Sequence, residues 1–363
     1  MKIAKIVLLV LTCIIHFTSL SQNLKAGFDK TEYIELLKAY SRWGDSNFYA
    51  GIEKSKKFKQ VYRAPVVGLD NCWELYKSED NIAVISIRGT TKNATSWLVN
   101  MYAAMAPAKG SIHLSDSLEF SYELAKDSKA AVHVGWLIAT AFLSPDIIAK
   151  IESNYQTGTK DFIIMGHSQG GAIAYLLTSH LRQLQESGKL PKDVRFKTYC
   201  SAAPKPGNLY YAYEYEHQTA GGWSYNVVNT VDWVPETPIS IQTIDDFNNT
   251  NPLGFIDVLI KKQKFPKKLL ARKVYNQLTK HPIKAQKKYE KYLGDMASKF
   301  VTKQYPQFKA PEYYNSNNYV RVGTFIILKP DESYYQNYPE NSKQYFTHHG
   351  IKPYILLAEK LPL

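Results

Sequence analysis

Cysteine is scarce in this chain: three in 363 residues, with Cys13 inside an N-terminal apolar run, so that only Cys72 and Cys200 remain beyond it. Both sit in strand-like surroundings, NCWELYK and FKTYCSAA, and neither belongs to a CxxC pair. A disulfide framework is therefore not expected, and two buried free thiols are. No His/Cys cluster has metal-ligand spacing, so neither a metal nor a cofactor is expected. After residue 21 no apolar run is expected to serve as a membrane-spanning helix. Acidic residues are lacking in one region only. Between Lys261 and Lys303, fourteen Lys and Arg meet just Glu290 and Asp295, which places +12 of the chain's net +13 in that segment.

The remainder has the composition of a large folded protein, with 45% hydrophobic residues and 27 tyrosines. Residues 1–21, MKIAKIVLLVLTCIIHFTSLS, carry Lys2 and Lys5, an apolar run and then small residues. That is the layout of a cleavable signal peptide, which predicts a secreted or periplasmic product. Thr12 before Cys13 fits a lipoprotein cleavage site poorly.

Hydrophobic periodicity orders the rest. TEYIELLKAYSRW (residues 31–43) has helical spacing behind a Thr31 cap. QVYRAPVV, CWELYK and IAVISIR read as a strand meander. The stretch from Thr90 to Ala131 has no clear period. From about residue 130 to 235 strands and helices alternate: a helix from VHVGW onward, the strand DFIIM, a helix from Gly171, and the strands RFKTYCSA and YNVVNTV. Such alternation implies βαβ units and a mostly parallel sheet flanked by helices. YVRVGTFIILK adds a late strand and IKPYILLAEKL a final helix. Pro266, Pro282 and Pro306 mark off two helical stretches in the basic segment, the second with Tyr289, Tyr292, Leu293, Met296 and Phe300 on one face. The predicted organisation is a signal peptide (1–21), an α/β core (22–244) with a lid-like segment at about 98–125, a basic helical insertion (245–315), and the end of the core (316–363).

The chemistry centres on Gly166-His167-Ser168-Gln169-Gly170. A G-x-S-x-G turn between strand and helix holds a serine on a strained bend, with the helix N-terminus beside it to stabilise an oxyanion. A serine hydroxyl needs a base. His16 leaves with the signal, His167 points away, and His180 lies about 18 Å along the same helix. His113, His133, His217 and His281 occupy unsuitable segments, leaving His348 or His349 after the last strand. Asp232, at the end of YNVVNTV, is the candidate acid. Asp193 falls at the wrong sheet edge and Asp245 and Asp246 in a polar loop. The backbone N–H of Gln169 and Thr90, at the end of ISIRGTT, are the candidate oxyanion donors.

Together ISIRGTT with Trp97 downstream, VHVGW, IIMGHSQGGAIA, SAAPKPGN and VVNTVDWVPETP resemble the class 3, fungal-type lipase family of the α/β-hydrolase fold. The resemblance covers residues 60–240 and the last forty. In HHGIKPYILL it matches a histidine followed five residues later by a tyrosine, which selects His349, with Tyr354 as the tyrosine. It implies Ser168 as nucleophile, His349 as base, Asp232 as orienting acid, Thr90 and Gln169 as the oxyanion hole, and a mobile lid near Met101 to Met105. The implied activity is hydrolysis of acyl-lipid esters, with phospholipase or feruloyl-type esterase activity, or a non-catalytic binding role on the same scaffold, as competing readings. The basic insertion departs from the family pattern. Lysines interleaved with aromatics over residues 261–303 suit an anionic membrane surface, or else a solvated cap. An exported chain makes nucleic acid an unsuitable partner.

Overall fold

The computed structural model describes residues 23–43 and 50–362, so the signal peptide expected over residues 1–21 lies outside the described residues. Helix α1 (Lys30–Tyr40) starts two residues earlier than a Thr31 cap would set it. Asp29 caps it, its carboxylate accepting from Glu32 N at 2.9 Å. Strands β1 (Lys59–Arg63), β2 (Trp73–Lys77) and β3 (Ile82–Ile87) form the antiparallel meander read from the sequence.

The stretch without a period resolves into helix α2 (Ala94–Met101) and short strands β4 (Met105–Pro107), β5 (Lys109–Ser115), β6 (Leu118–Glu123) and β7 (Ala131–His133). β4 pairs with β7 and β5 with β6. The segment expected to be lid-like, 98–125, is largely packed inside in this structure. Tyr102, Ala104, Met105, Ala106, Ile112 and Leu114 are buried, each 1% exposed or less, so most of that segment is core. Only the end of α2 keeps an exposed apolar side chain, Met101.

Helix α3 (Val134–Gln156), strand β8 (Asp161–His167), helix α4 (Gln169–Glu186), strand β9 (Arg195–Ser201), helix α5 (Leu209–Gln218) and strand β10 (Ser224–Asn229) supply the alternating part. The central sheet has seven strands in the order β1-β2-β3-β8-β9-β10-β11, the last being Thr324–Leu328, and it is parallel from β3 onward. β8 shows why two layers of helix are required. Its Phe162 and Ile164 join the core under α3 and α4, while Ile163 and Met165 join a second core with Tyr33, Leu36 and Leu37 of α1 and with Tyr354 and Leu357. Alternation along one strand thus feeds both faces of the sheet. Cys72 and Cys200 are free and buried.

The basic segment forms helices α6 (Ile256–Lys261), α7 (Lys267–Glu290) and α8 (Met296–Gln304), with one π-helical turn, Lys291–Asp295, joining the last two. Pro282 does not divide it: α7 runs straight through. The missing proline N–H deprives only the carbonyl one turn earlier, at solvent-exposed Leu278. The π turn also rotates the expected apolar face, so that Gly294, Ala297 and Val301 are buried and Tyr292, Met296 and Phe300 are exposed. Helices α9 (Glu332–Asn337) and α10 (Ile351–Glu359) end the chain.

Candidate active site

Ser168 stands between β8 and α4 with φ 61° and ψ −132°, a left-handed conformation costing about 1–3 kcal/mol in a non-glycine residue. Its neighbours enforce the bend. A Cβ on Gly166 would lie 2.1 Å from the backbone of Gly170, and one on Gly170 would lie 2.2 Å from Ile87 O, so only glycine permits β3, β8 and α4 to approach this closely. Ser168 N donates to Ser201 O at 2.9 Å, and Ser168 O accepts the first helical bond from Gly171 N at 2.9 Å. The serine is partly exposed, and its hydroxyl makes no hydrogen bond among the described residues.

The C-terminal turn Thr347–His349 carries His349 beside this bend, with its ring centroid 4.9 Å from that of His167. His349 Nδ1 donates to Asp232 Oδ2 at 2.7 Å. Tyr354 OH, one turn into α10, donates to the same oxygen at 2.8 Å, and Val234 N donates to Asp232 Oδ1 at 3.0 Å. The Asp232 carboxylate is fully buried. Burial alone would raise its pKa, yet the His349 charge and these three donors outweigh that and hold it below the ordinary carboxylate range. β10 ends at Asn229 rather than at Asp232, and a turn closed by Asp232 N donating to Asn229 O at 3.0 Å delivers the acid just beyond the sheet edge. His348 faces elsewhere: its Nδ1 is 2.8 Å from Tyr334 OH. The structure therefore brings Asp232 to His349, not to His348.

His167, adjacent to the serine, is buried, and its side chain does point away from the opening, as expected from the sequence. It nevertheless belongs to the site. Burial and the neighbouring His349 depress its pKa to about 3, so its ring is neutral. Its Nε2 lies 2.7 Å from the carbonyl oxygen of His349, which can only accept, so Nε2 carries the proton. Nδ1 must then accept from Ser201 Oγ at 3.0 Å, and Ser201 Oγ in turn from Tyr33 OH at 2.6 Å. One direction of donation runs from α1 through the sheet to the backbone of the His349 turn.

Thr90 and Gln169 meet across the gap between β3 and α4. Thr90 Oγ1 donates to Gln169 Oε1 at 3.0 Å and accepts from Asn100 Nδ2 at 2.9 Å, while Asn100 Oδ1 accepts from Trp136 Nε1 at 3.1 Å. The backbone N–H groups of Thr90 and Gln169 find no acceptor among the described residues. Tyr40 OH ties the two elements together, accepting from Gly89 N at 2.7 Å and donating to His167 O at 3.3 Å. Trp97 of α2, Phe346 and Trp233 form an aromatic rim, with centroids 6.3 and 5.5 Å apart, and Phe346 lies 5.9 Å from His349. Among the described residues no group of three or more His, Cys, Asp or Glu is placed to hold a metal ion.

Asn100, Ser201, Tyr33 and Tyr40 escaped the sequence reading. Tyr33 and Tyr40 had a signal, since their seven-residue separation puts them on the buried face of α1, but nothing local reveals the partners of their hydroxyls.

Residues 84–241 match the family described as lipase (class 3). The secreted mono- and diacylglycerol lipase 1 of Fusarium solani is 26% identical over 198 residues, which are 52% of this chain and 55% of that protein. The chain thus spans about half the length of this curated relative. Among solved structures, lipase II from Rhizopus niveus is 21% identical, covering 58% of this chain and 73% of that one at a TM-score of 0.42. A triacylglycerol lipase from Penicillium expansum is 17% identical, covering 58% and 75% at a TM-score of 0.42. Over residues 84–241, which carry most of β3, the serine bend and Asp232, this chain is similar to the class 3 lipase family.

Proposed function

We propose that this chain is a secreted serine hydrolase that cleaves the carboxylic ester bonds of acyl lipids, acylglycerols foremost, through Ser168, His349 and Asp232. The observation that carries the reading is the 2.7 Å bond from His349 to a buried Asp232 beside a serine held at φ 61°. Secretion rests on the signal-like residues 1–21 and on the secreted Fusarium solani relative.

Ser168 Oγ attacks the ester carbonyl carbon as His349 Nε2 takes its proton. The tetrahedral oxyanion is met by the unengaged N–H groups of Gln169 and Thr90 and by the positive end of α4. Collapse expels the alcohol, which receives the proton from His349, and leaves an acyl-Ser168. Water, deprotonated by His349, releases the carboxylic acid and restores the hydroxyl. Asp232 keeps the Nδ1–H tautomer and stabilises the imidazolium. The bond from Ser168 to His349 is not formed in the free protein, and such bonds commonly tighten only with substrate in place. The aromatic rim of Trp97, Phe346 and Trp233 offers an apolar approach for acyl chains.

Hydrolysis of nitrophenyl esters of graded chain length by wild type and Ser168→Ala is the test. The wild type should favour medium to long chains and the variant should be inert, whereas equal rates would refute the reading. A preference for the shortest chains would move the substrate class to small esters.

A further inference from the structure

Helix α7 carries two different faces. The inward one is ordinary: Tyr275, Thr279, Ile283, Gln286 and Tyr289 are partly or fully buried, and Gln286 Nε2 donates to Asn315 Oδ1 at 2.8 Å. The outward face is not that of a solvated cap. Leu270, Val274 and Leu278, at intervals of four, form an apolar stripe that is 65%, 46% and 70% exposed. Lys273, Lys280, Lys284 and Lys287 form a second exposed stripe alongside it. Before the helix stand Phe265, 82% exposed, and on α6 the exposed Val258 and Leu259. A cap needs only its inward apolar face, so the outward one is a cost in water without a partner.

The charge has no internal partner either. Arg272 pairs with Asp257, but among the described residues none of the lysines from 261 to 303 forms an ion pair. Large aliphatic side chains interleaved with unpaired lysines match a surface that offers both hydrocarbon and negative charge. Nucleic acid supplies the charge but leaves Leu270, Leu278 and Phe265 in water. An anionic bilayer takes both, the apolar stripe entering the acyl boundary while the lysines meet phosphates.

We propose that the outward face of α6 and α7 docks this protein on an anionic phospholipid surface. The contact is separate from the aromatic rim at the serine and does not depend on the hydrolase reading. α8, continuous with α7 through the π turn, contacts α2 of the rim through Gln304 Nε2, which donates to Thr95 Oγ1 at 3.2 Å. Docking through the insertion therefore holds the catalytic mouth near the surface rather than forming that mouth.

The test is sedimentation of the full chain, as Ser168→Ala to prevent turnover, with phosphatidylcholine vesicles with or without phosphatidylglycerol. Binding should be about ten-fold or more stronger with the anionic lipid, weaken with added salt, and fall about ten-fold in Lys273→Glu/Lys280→Glu/Lys284→Glu. Leu270→Ser/Leu278→Ser should lose the salt-resistant part of the binding. Both sets, made with Ser168 intact, should keep wild-type rates on a soluble short-chain ester, which shows that they fold. Equal binding to neutral and anionic vesicles, unchanged binding by the charge-reversed variant, or capture of nucleic acid without vesicle binding would overturn the proposal. Loss of soluble-ester activity in the wild type would strike only the hydrolase reading.

Discussion

His167 Nε2–H donates to the carbonyl oxygen of His349 at 2.7 Å, joining two residues 182 positions apart. The bond fixes the backbone of the turn from which the His349 ring projects, while Asp232 fixes the ring from its other side. His167 is therefore a positioning residue. His167→Leu should lower kcat by about 10²-fold with little change in KM, because a displacement of about 1 Å suffices for such a loss. His167→Gln, which retains an N–H of similar reach, should recover most of it. A stopped-time assay on a soluble ester with full KM and kcat separation reads both.

Tyr354 acts on the same acid from the far side. Its hydroxyl donates to Asp232 Oδ2 and accepts from Asn229 N at 3.2 Å, so Tyr354→Phe removes two buried contacts without leaving a hole. The expected outcome is a stability loss of about 1–2 kcal/mol by urea unfolding. A drop in kcat should accompany it, much smaller than that of Asp232→Ala.

Thr90 discriminates hydroxyl from shape. Its Oγ1 is held between Gln169 and Asn100, so Thr90→Val keeps the volume and removes both bonds, whereas Thr90→Ser keeps them. Thr90→Val should reduce kcat by about 10²-fold, because the backbone N–H groups of Thr90 and Gln169 lose the bonds that hold them in place and a displacement of about 1 Å suffices for such a loss, and Thr90→Ser should remain within a few-fold of wild type.

Acid should unfold the protein through its buried histidines. Burial, with smaller neighbour effects, depresses His133 and His167 to about 3 and His180 to about 4, so the folded state binds fewer protons than the unfolded chain below the ordinary histidine value near 6.5. Their stabilising contribution is complete above that value and is lost as pH falls from it toward the folded values. His180 adds a buried Nδ1 that has no partner among the described residues, its ring centroid 4.8 Å from that of Phe120. His180→Leu should therefore raise the urea midpoint, and by more at pH near 5 than near 8; an equal gain at both would contradict this assignment.

How much was legible in advance differs by element. Strand and helix periods foretold β3, β8, β9, α3 and α4, because alternation and 3.6-residue repeats are local properties of a chain burying one or two faces. The region from Thr90 to Ala131 was opaque, since its strands of three to seven residues are too short to show a period. Pro282 misled because a proline breaks a helix firmly only where its lost bond cannot be met by solvent.

Gly166, Ser168 and Gly170 were determined by the sequence alone: their spacing permits one kind of bend, and steric exclusion of a Cβ is a local fact. Between His348 and His349, local residues offered no choice beyond a resemblance. Only the tertiary structure, which puts Tyr354 and His349 on one oxygen of Asp232, shows which of the two rings that carboxylate holds. The same holds for His167, whose partner is fixed by contacts across the sheet. Local sterics can be read along a chain, but a hydrogen bond between distant segments exists only once burial has brought them together.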